Sequence, residues 1–367
     1  MKSGDLGLAA RTALRAPALA LAVLAAAWAV PPSAVAASTE AASVKTAATS
    51  TTKKTAASSP SKKLKKKSST SKKARRSKAR PAPLSVGQKL GLRNTPAAVA
   101  LQSSVALVAD QQTGEILVAK NADAVLPIAS LTKLMTALVV IEGAQPLDEI
   151  LQISQAEIDL EKGTSSRLSV GSKLRRDDLL LLALMSSENR AAAALGRHYP
   201  GGTPAFVAAM NHRARTLGMT KTRFSDATGL SSRNVSSARD LLKLIDASYQ
   251  EPLIRDYSTR KNHVVRPARS LLSFGTSNRL VRASTEWDIG LQKTGFTNEA
   301  GRCLVMQTEV LDRPLAMIFL DSTGTLTRYG DASRVRSWIE SGGSHTIKVD
   351  QRRPKPADAP TRAMSHS

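Results

Sequence analysis

PIASLTKLMTALVVIEG, residues 127–143, is the stretch on which the fold turns. From Leu134 to Val140 it is apolar almost all round, and Gly143 supplies a stop. A helix over 130–142 that is hydrophobic on every face has to be central and buried. Its first turn nevertheless carries Ser130 and Lys133. Residues three apart on a helix share a face, so the Lys133 amine can stand beside Ser130 Oγ. A serine hydroxyl is a weak nucleophile until a base takes its proton. A lysine can be that base if burial or nearby positive charge keeps it neutral. The helix N-terminus also favours developing negative charge. The plain alternative is a capping serine followed by a snorkelling lysine.

Upstream, 105–108 and 115–118 are apolar runs on either side of Asp110-Gln111-Gln112-Thr113-Gly114, the pattern of a β-hairpin. Downstream the pattern is helical. The run 179–185 predicts a buried helix, and 189–198 an alanine-rich one ending before Pro200-Gly201-Gly202. Thr203 as cap and Pro204 at the first position predict a third helix, in which Phe206, Met210 and Leu217 recur and Gly218 closes the end. A fourth runs over 237–247, with Ser237 and Asp240 placed for a capping box. The pattern then returns to strands at 303–310 and 314–321, joined around Asp312-Arg313, before a last helix at 332–340 that ends at Gly342. This order predicts a mixed α/β fold. The N- and C-terminal segments share one antiparallel sheet flanked by helices, and the middle forms a helical lobe. There is no internal repeat.

The chain has 367 residues and a net charge of +24, but the charge lies mostly outside that region. Residues 37–84 hold fourteen Lys or Arg against Glu40 alone, in a background of Ala, Ser and Thr. Such a segment cannot bury enough apolar area to offset its chain entropy, so a disordered basic linker is expected. It is either a solvated spacer or a tether to anionic envelope polymers or the membrane surface. It has no aromatic residue to stack on bases, which argues against nucleic acid. Residues 1–36 have the form of a signal peptide: Arg11 and Arg15, an uncharged apolar run of 18–30, then Ala34-Val35-Ala36. That run is short against the ~20 residues a membrane span needs, so export to the periplasm with cleavage after Ala36 is expected. The ordered domain should cover 85–345, with a disordered tail at 346–367. The single cysteine, Cys303, excludes an internal disulfide and reads as a small buried hydrophobe. Five histidines without ligand spacing argue against a zinc enzyme, and no metal or other cofactor is implied.

Ser-x-x-Lys alone is nearly uninformative, since one or two matches arise by chance in about this length of chain. Ser50…Lys53, Ser59…Lys62, Ser69…Lys72 and Ser258…Lys261 fit equally well. Two further strings add specificity. Ser187-Glu188-Asn189 falls between two predicted helices, where a hydroxyl can relay a proton and an amide can orient lysine and substrate; the plain alternative is a helix cap, and Ser232-Arg233-Asn234 has the same form. Lys293-Thr294-Gly295 reads as an edge strand beside a cleft. Its Lys and Thr can hold a carboxylate, and its Gly lets substrate backbone approach. That tripeptide is expected by chance only about 0.1 times.

The ordered set Ser-x-x-Lys, Ser-x-Asn, Lys-Thr-Gly resembles the penicillin-binding proteins and serine β-lactamases. The separations, 57 residues from Ser130 to Ser187 and 106 from there to Lys293, are similar to that superfamily. PIASLTKLMT (127–136), LMSSENRAA (184–192), FSDATGL (224–230) and KTGFTN (293–298) look like the low-molecular-mass D-alanyl-D-alanine peptidases, the endopeptidase members most of all. The resemblance covers about 95–345. It implies a β-lactamase/transpeptidase-like fold and peptidoglycan stem peptides and β-lactams as partners. It implies Ser130 as nucleophile, Lys133 as base and Ser187 as proton relay. Asn189, Lys293, Thr294 and Gly295 would bind substrate, and the backbone N–H groups of Ser130 and Phe296 would form an oxyanion hole. The carboxypeptidase alternative often carries a further β domain and an amphipathic end; about 25 residues follow Gly342 here, which favours the endopeptidase type. A β-lactamase needs a glutamate that positions water, and EPLIR (251–255) ends in Arg where that pattern has Asn. A non-catalytic envelope-binding protein of the same fold is the remaining alternative.

Overall fold

The computed structural model describes residues 83–283 and 286–343. The expected signal peptide, the basic linker up to residue 82 and the C-terminal tail lie outside the described residues, as do the first three chance Ser-x-x-Lys matches. The first half of the domain runs α1 (Val86–Lys89), β1 (Ser103–Asp110), β2 (Ile116–Lys120), β3 (Leu126–Pro127), α2 (Thr132–Glu142), β4 (Ile150–Gln152), β5 (Lys173–Arg175), α3 (Arg176–Met185), α4 (Asn189–Arg197) and α5 (Gly202–Thr216). The second half runs β6 (Val235–Ser236), α6 (Ala238–Gln250), α7 (Pro252–Thr259), β7 (Asn262–Val265), β8 (Leu272–Gly275), α8 (Arg279–Ala283), β9 (Ile289–Thr297), β10 (Gly301–Val310), β11 (Arg313–Ser322) and α9 (Thr327–Glu340).

One five-stranded antiparallel sheet, in the order β2-β1-β11-β10-β9, joins the two ends of the domain. Its three inner strands, β1, β11 and β10, are largely apolar because both faces are covered. Val105 and Leu107 of β1, Val305 of β10 and Ile318 and Leu320 of β11 face the helical lobe and pack in one core with α2. Their neighbours Ala106, Val108, Leu304, Met306, Met317 and Phe319 point the other way, onto Tyr329, Ala332, Val335 and Ile339 of α9. The period of two along each strand thus sorts alternate side chains into two cores. In α2 every residue from Thr132 to Val140 is buried, Lys133 included. The mixed α/β class, the shared sheet and the central helix are as expected.

Several boundaries differ from the sequence pattern for physical reasons. The β10–β11 turn is Leu311-Asp312, both at positive φ (52° and 59°), one residue before the Asp-Arg pair that the polar pattern suggests. Helix α5 is entered through Gly201 and Gly202 at φ 83° and 70°, so Thr203 and Pro204 fall inside it rather than at its cap. Ser237 does cap α6, but the Asp240 carboxylate turns away to accept from Lys221 N and Thr222 Oγ1, so the capping box is half formed. Helix α9 starts at Thr327, five residues before the expected 332, and its buried Asp331 accepts from Gln102 N and from Ser103 N and Oγ. That carboxylate ties α9 to the start of β1.

Candidate active site

Ser130 sits in a single tight turn, Ala129–Leu131, between β3 and α2. Ala129 is held at φ 47°, a conformation that costs an L-residue about 1–2 kcal/mol. Three neighbours impose it. A Cβ on Gly229, itself at φ 83°, would come 2.0 Å from Ala129 O. A Cβ on Gly295 would come 3.3 Å from Ser130 N, so β9 also presses on the Ser130 backbone. Asn234, fully buried, fixes the rest. Its O accepts from Ile128 N at 3.0 Å, and its Nδ2 donates to Thr132 Oγ1 at 3.0 Å and to Asp226 O at 3.0 Å. Asp226 in turn folds the loop: Oδ1 accepts from Thr228 N, Thr228 Oγ1 and Gly229 N, and Oδ2 from Ser231 N.

That loop delivers a carbonyl to Lys133. The buried amine donates to Ser130 Oγ at 2.9 Å, Asn189 Oδ1 at 2.7 Å and Thr228 O at 2.6 Å. Burial lowers its pKa to about 7, against the opposing charges of Asp226 and Glu188. An ammonium satisfies all three acceptors. A neutral amine has two N–H bonds and a lone pair. With Asn189 Nδ2 turned to Thr164, the Asn189 Oδ1 and Thr228 O atoms that face the amine can accept only, so the lone pair has to fall to Ser130, whose O–H then points at Nζ. The geometry therefore sets up proton transfer from Ser130 whenever Lys133 is neutral.

A second cluster adjoins the first. Ser187, at φ 63° in the loop between α3 and α4, accepts from Lys293 Nζ at 2.8 Å. Lys293 also donates to Thr294 O at 2.9 Å, and Thr294 Oγ1 meets Ser277 Oγ at 2.7 Å. Lys293 is fully buried, and its pKa is pushed well down by that burial and then by Lys133 and Arg328. Asn189 Nδ2 donates to Thr164 Oγ1 at 3.1 Å. Phe296, 51% exposed, lies beyond Gly295 with the Arg302 guanidinium 4.4 Å over its ring.

The structure thus gathers Ser130, Lys133 and Asn189 in one hydrogen-bonded set and Ser187, Lys293 and Thr294 in another, with Gly295 packed against Ser130 and Phe296 next along β9. The chance matches resolve differently. Ser258 is buried in α7, where its Oγ donates to Arg255 O and accepts from Gln292 N, while Lys261 is exposed. Asn234 of the Ser232-Arg233-Asn234 string is the buried hub below Ser130. Glu251 stands at the N-cap position of α7 without a side-chain capping bond, and Arg255 stacks on Tyr249. Cys303 is buried, its thiol pushed up to about 12 by that burial. Among the described residues no three His, Cys, Asp or Glu side chains gather as a metal site. The partners that sequence patterns missed are Thr228, Thr164, Ser277 and Asn234. The FSDATGL string contains Thr228, and Asn234 was named only as a match of the Ser-x-Asn form.

A sequence profile described as D-alanyl-D-alanine carboxypeptidase matches residues 92–324. The D-alanyl-D-alanine endopeptidase of Pseudomonas aeruginosa is 52% identical over 244 residues, 66% of this chain and 78% of that protein. The protein of the same name from Escherichia coli is 46% identical over 263 residues, 71% of this chain and 84% of its own. Among solved structures, the Streptomyces K15 DD-transpeptidase superposes with a TM-score of 0.61 at 26% identity, over 66% of this chain and 98% of that one. Penicillin-binding protein D2 of Listeria monocytogenes, in its ampicillin-bound form, gives 0.56 at 30% identity, over 66% and 97%.

Proposed function

The chain belongs to the D-alanyl-D-alanine carboxypeptidase family of serine peptidases, and from that premise we propose that it is a peptidoglycan endopeptidase that opens cross-links between stem peptides. The observation that carries this reading is the buried Lys133 amine, held near neutral pKa and bonded to Ser130 Oγ. Relatives at 46–52% identity that bear the endopeptidase name support the choice of bond.

In this mechanism Lys133 takes the Ser130 proton as Oγ attacks the carbonyl of a D-Ala-D-linked peptide bond. The N–H groups of Ser130 and Phe296 receive the oxyanion. Ser187, linked to Lys293, passes a proton to the departing amine. Lys293 and Thr294 hold the carboxylate beside that amine, and an arriving carboxylate favours the charged form of a lysine whose pKa burial pushes well down. Asn189 contacts the substrate amide, and Gly295 leaves room for its backbone. Water then frees the acyl group. A β-lactam acylates the same serine and stays longer. Digestion of purified muropeptides tests the bond preference. Loss of cross-linked dimers is the expected result; shortened pentapeptides with dimers intact would replace this reading with the carboxypeptidase one.

The catalytic domain, 85–345, is in this reading exported to the periplasm by a signal peptide cleaved after Ala36. Residues 37–84, at fourteen basic side chains to one acidic, then act as a tether to anionic envelope polymers. Deleting 37–84 should leave activity on soluble fragments intact and reduce retention on whole sacculi. Equal retention would make the segment a spacer.

A further inference from the structure

An open cavity of about 400 Å³ adjoins the Ser187 end of the site. Ser186 and Glu188, the two neighbours of Ser187, form one wall. Phe274 and Gly275 at the end of β8 form another, and Ser166 and Arg167 a third. Two contacts fix its position. Ser277 N donates to Met185 O at 2.9 Å, and Ser277 Oγ meets Thr294 Oγ1, so the chain that leaves β8 closes directly onto the Ser187 loop and the Lys-Thr-Gly strand. The cavity therefore begins where the departing amine leaves in the mechanism above.

Its charged groups are not equivalent. The Glu188 carboxylate is already engaged, accepting from Ser166 Oγ at 2.6 Å and from Arg190 N at 3.2 Å. Arg167 is exposed and forms no ion pair among the described residues. It is nevertheless held in place: Nη1 donates to Ser273 O, and the guanidinium lies 4.7 Å over the Phe274 ring. A guanidinium fixed by stacking and one backbone contact keeps its other N–H groups free for a planar anion.

The chemistry of the substrate says which anion. When the departing amine belongs to a lone amino acid, the leaving group ends at the carboxylate beside that amine, on Lys293 and Thr294. When it belongs to a side chain of a second stem, the molecule continues past Ser187 and ends in another carboxylate. We propose that the cavity between Ser186, Phe274 and Arg167 is the subsite for the second stem of a cross-link, with Arg167 binding that stem's free carboxylate; this rests on the endopeptidase reading. Arg167 is thus a specificity residue for cross-linked over linear substrates and takes no part in bond making.

The test compares the full exported chain with its Arg167→Ala variant on four probes. These are a purified cross-linked muropeptide dimer, the same dimer with its free second-stem carboxylate amidated, a monomeric pentapeptide, and fluorescent penicillin. The variant should lose about tenfold or more in kcat/KM on the dimer, mainly through KM, as expected for a lost charge-assisted contact. Penicillin labelling and pentapeptide turnover should stay within about twofold. Wild type should cleave the amidated dimer about as slowly as the variant cleaves the free one, and the variant should not distinguish the two dimers. Undiminished dimer cleavage by the variant overturns the subsite. So does an equal loss on all probes, which would mean a general disturbance of the Ser187 loop. A wild-type enzyme that cleaves no dimer overturns the endopeptidase reading itself, a result visible without any variant.

Discussion

Lys133→Ala should cut the acylation of Ser130 by a penicillin by about 10²–10⁴-fold, the usual worth of a positioned general base. The expected size follows from how completely the amine is enclosed. It is buried, Ser130 Oγ has it as a 2.9 Å neighbour, and its other two partners can only accept. Truncation leaves Asn189 Oδ1 and Thr228 O short of a donor, at about 1 kcal/mol or more each. It also removes a buried amine that was itself costly to desolvate, so the domain should remain folded. Lys133→Arg separates base from filler. A guanidinium stays protonated at any working pH, so it should lose as much activity while filling most of the space. The pH profile gives an independent reading. Lys133 accepts a proton only when neutral, and its pKa is lowered to about 7. Acylation should be flat above that value and fall about tenfold per pH unit below it. A limb near the ordinary lysine value would mean that burial does not tune the base.

Gly229→Ala should be the most damaging small substitution in the domain. The new Cβ would stand 2.0 Å from Ala129 O and 2.9 Å from Ser130 N, both backbone atoms, at a φ of 83°. Positive φ costs an L-residue about 1–2 kcal/mol, and relieving an overlap in a packed region typically costs about 1–3 more. Relief requires the 226–231 turn to move away, which takes Thr228 O off Lys133 and frees Ala129 from its strained φ. A loss of about 2–5 kcal/mol in urea unfolding is expected, with acylation down about tenfold or more in the protein that remains folded. Gly114→Ala is the control, since Gly114 has φ 74° and nothing within 4 Å of the added carbon. It should cost about 1–2 kcal/mol and leave acylation unchanged. If the two variants behave alike, the Gly229 loop does not position the nucleophile.

These two residues also mark what the sequence makes legible. Lys133 could be read because a charged side chain in the first turn of an all-apolar helix is a conflict that a site resolves. The sheet could be read because its three inner strands are apolar on both faces. The start of α9 could not, because its first buried side chains are Arg328, Tyr329 and Asp331, which carry no apolar period. The β7–β8 hairpin was missed for a similar reason: it is short and mostly exposed. The β10–β11 turn was displaced because Leu311, 63% exposed at positive φ, is not a residue that turns favour. Within the site, Ser130, Lys133, Ser187, Asn189 and Lys293 are joined through side chains whose type and spacing form a pattern. Thr228 acts through a backbone carbonyl, which any residue could supply. Asn234 and Asp226 act by shaping a loop, and small polar residues are too common for that role to stand out.

The central claim is that Ser130 forms an acyl-enzyme with Lys133 as its base. Intact-protein mass spectrometry after exposure to a penicillin, followed by peptide mapping, tests it most directly. The account predicts one adduct with the mass of the antibiotic, located at Ser130, absent from Ser130→Ala and formed far more slowly by Lys133→Ala. An adduct that persists in Ser130→Ala, or that maps to Ser187 or Ser258, would contradict it.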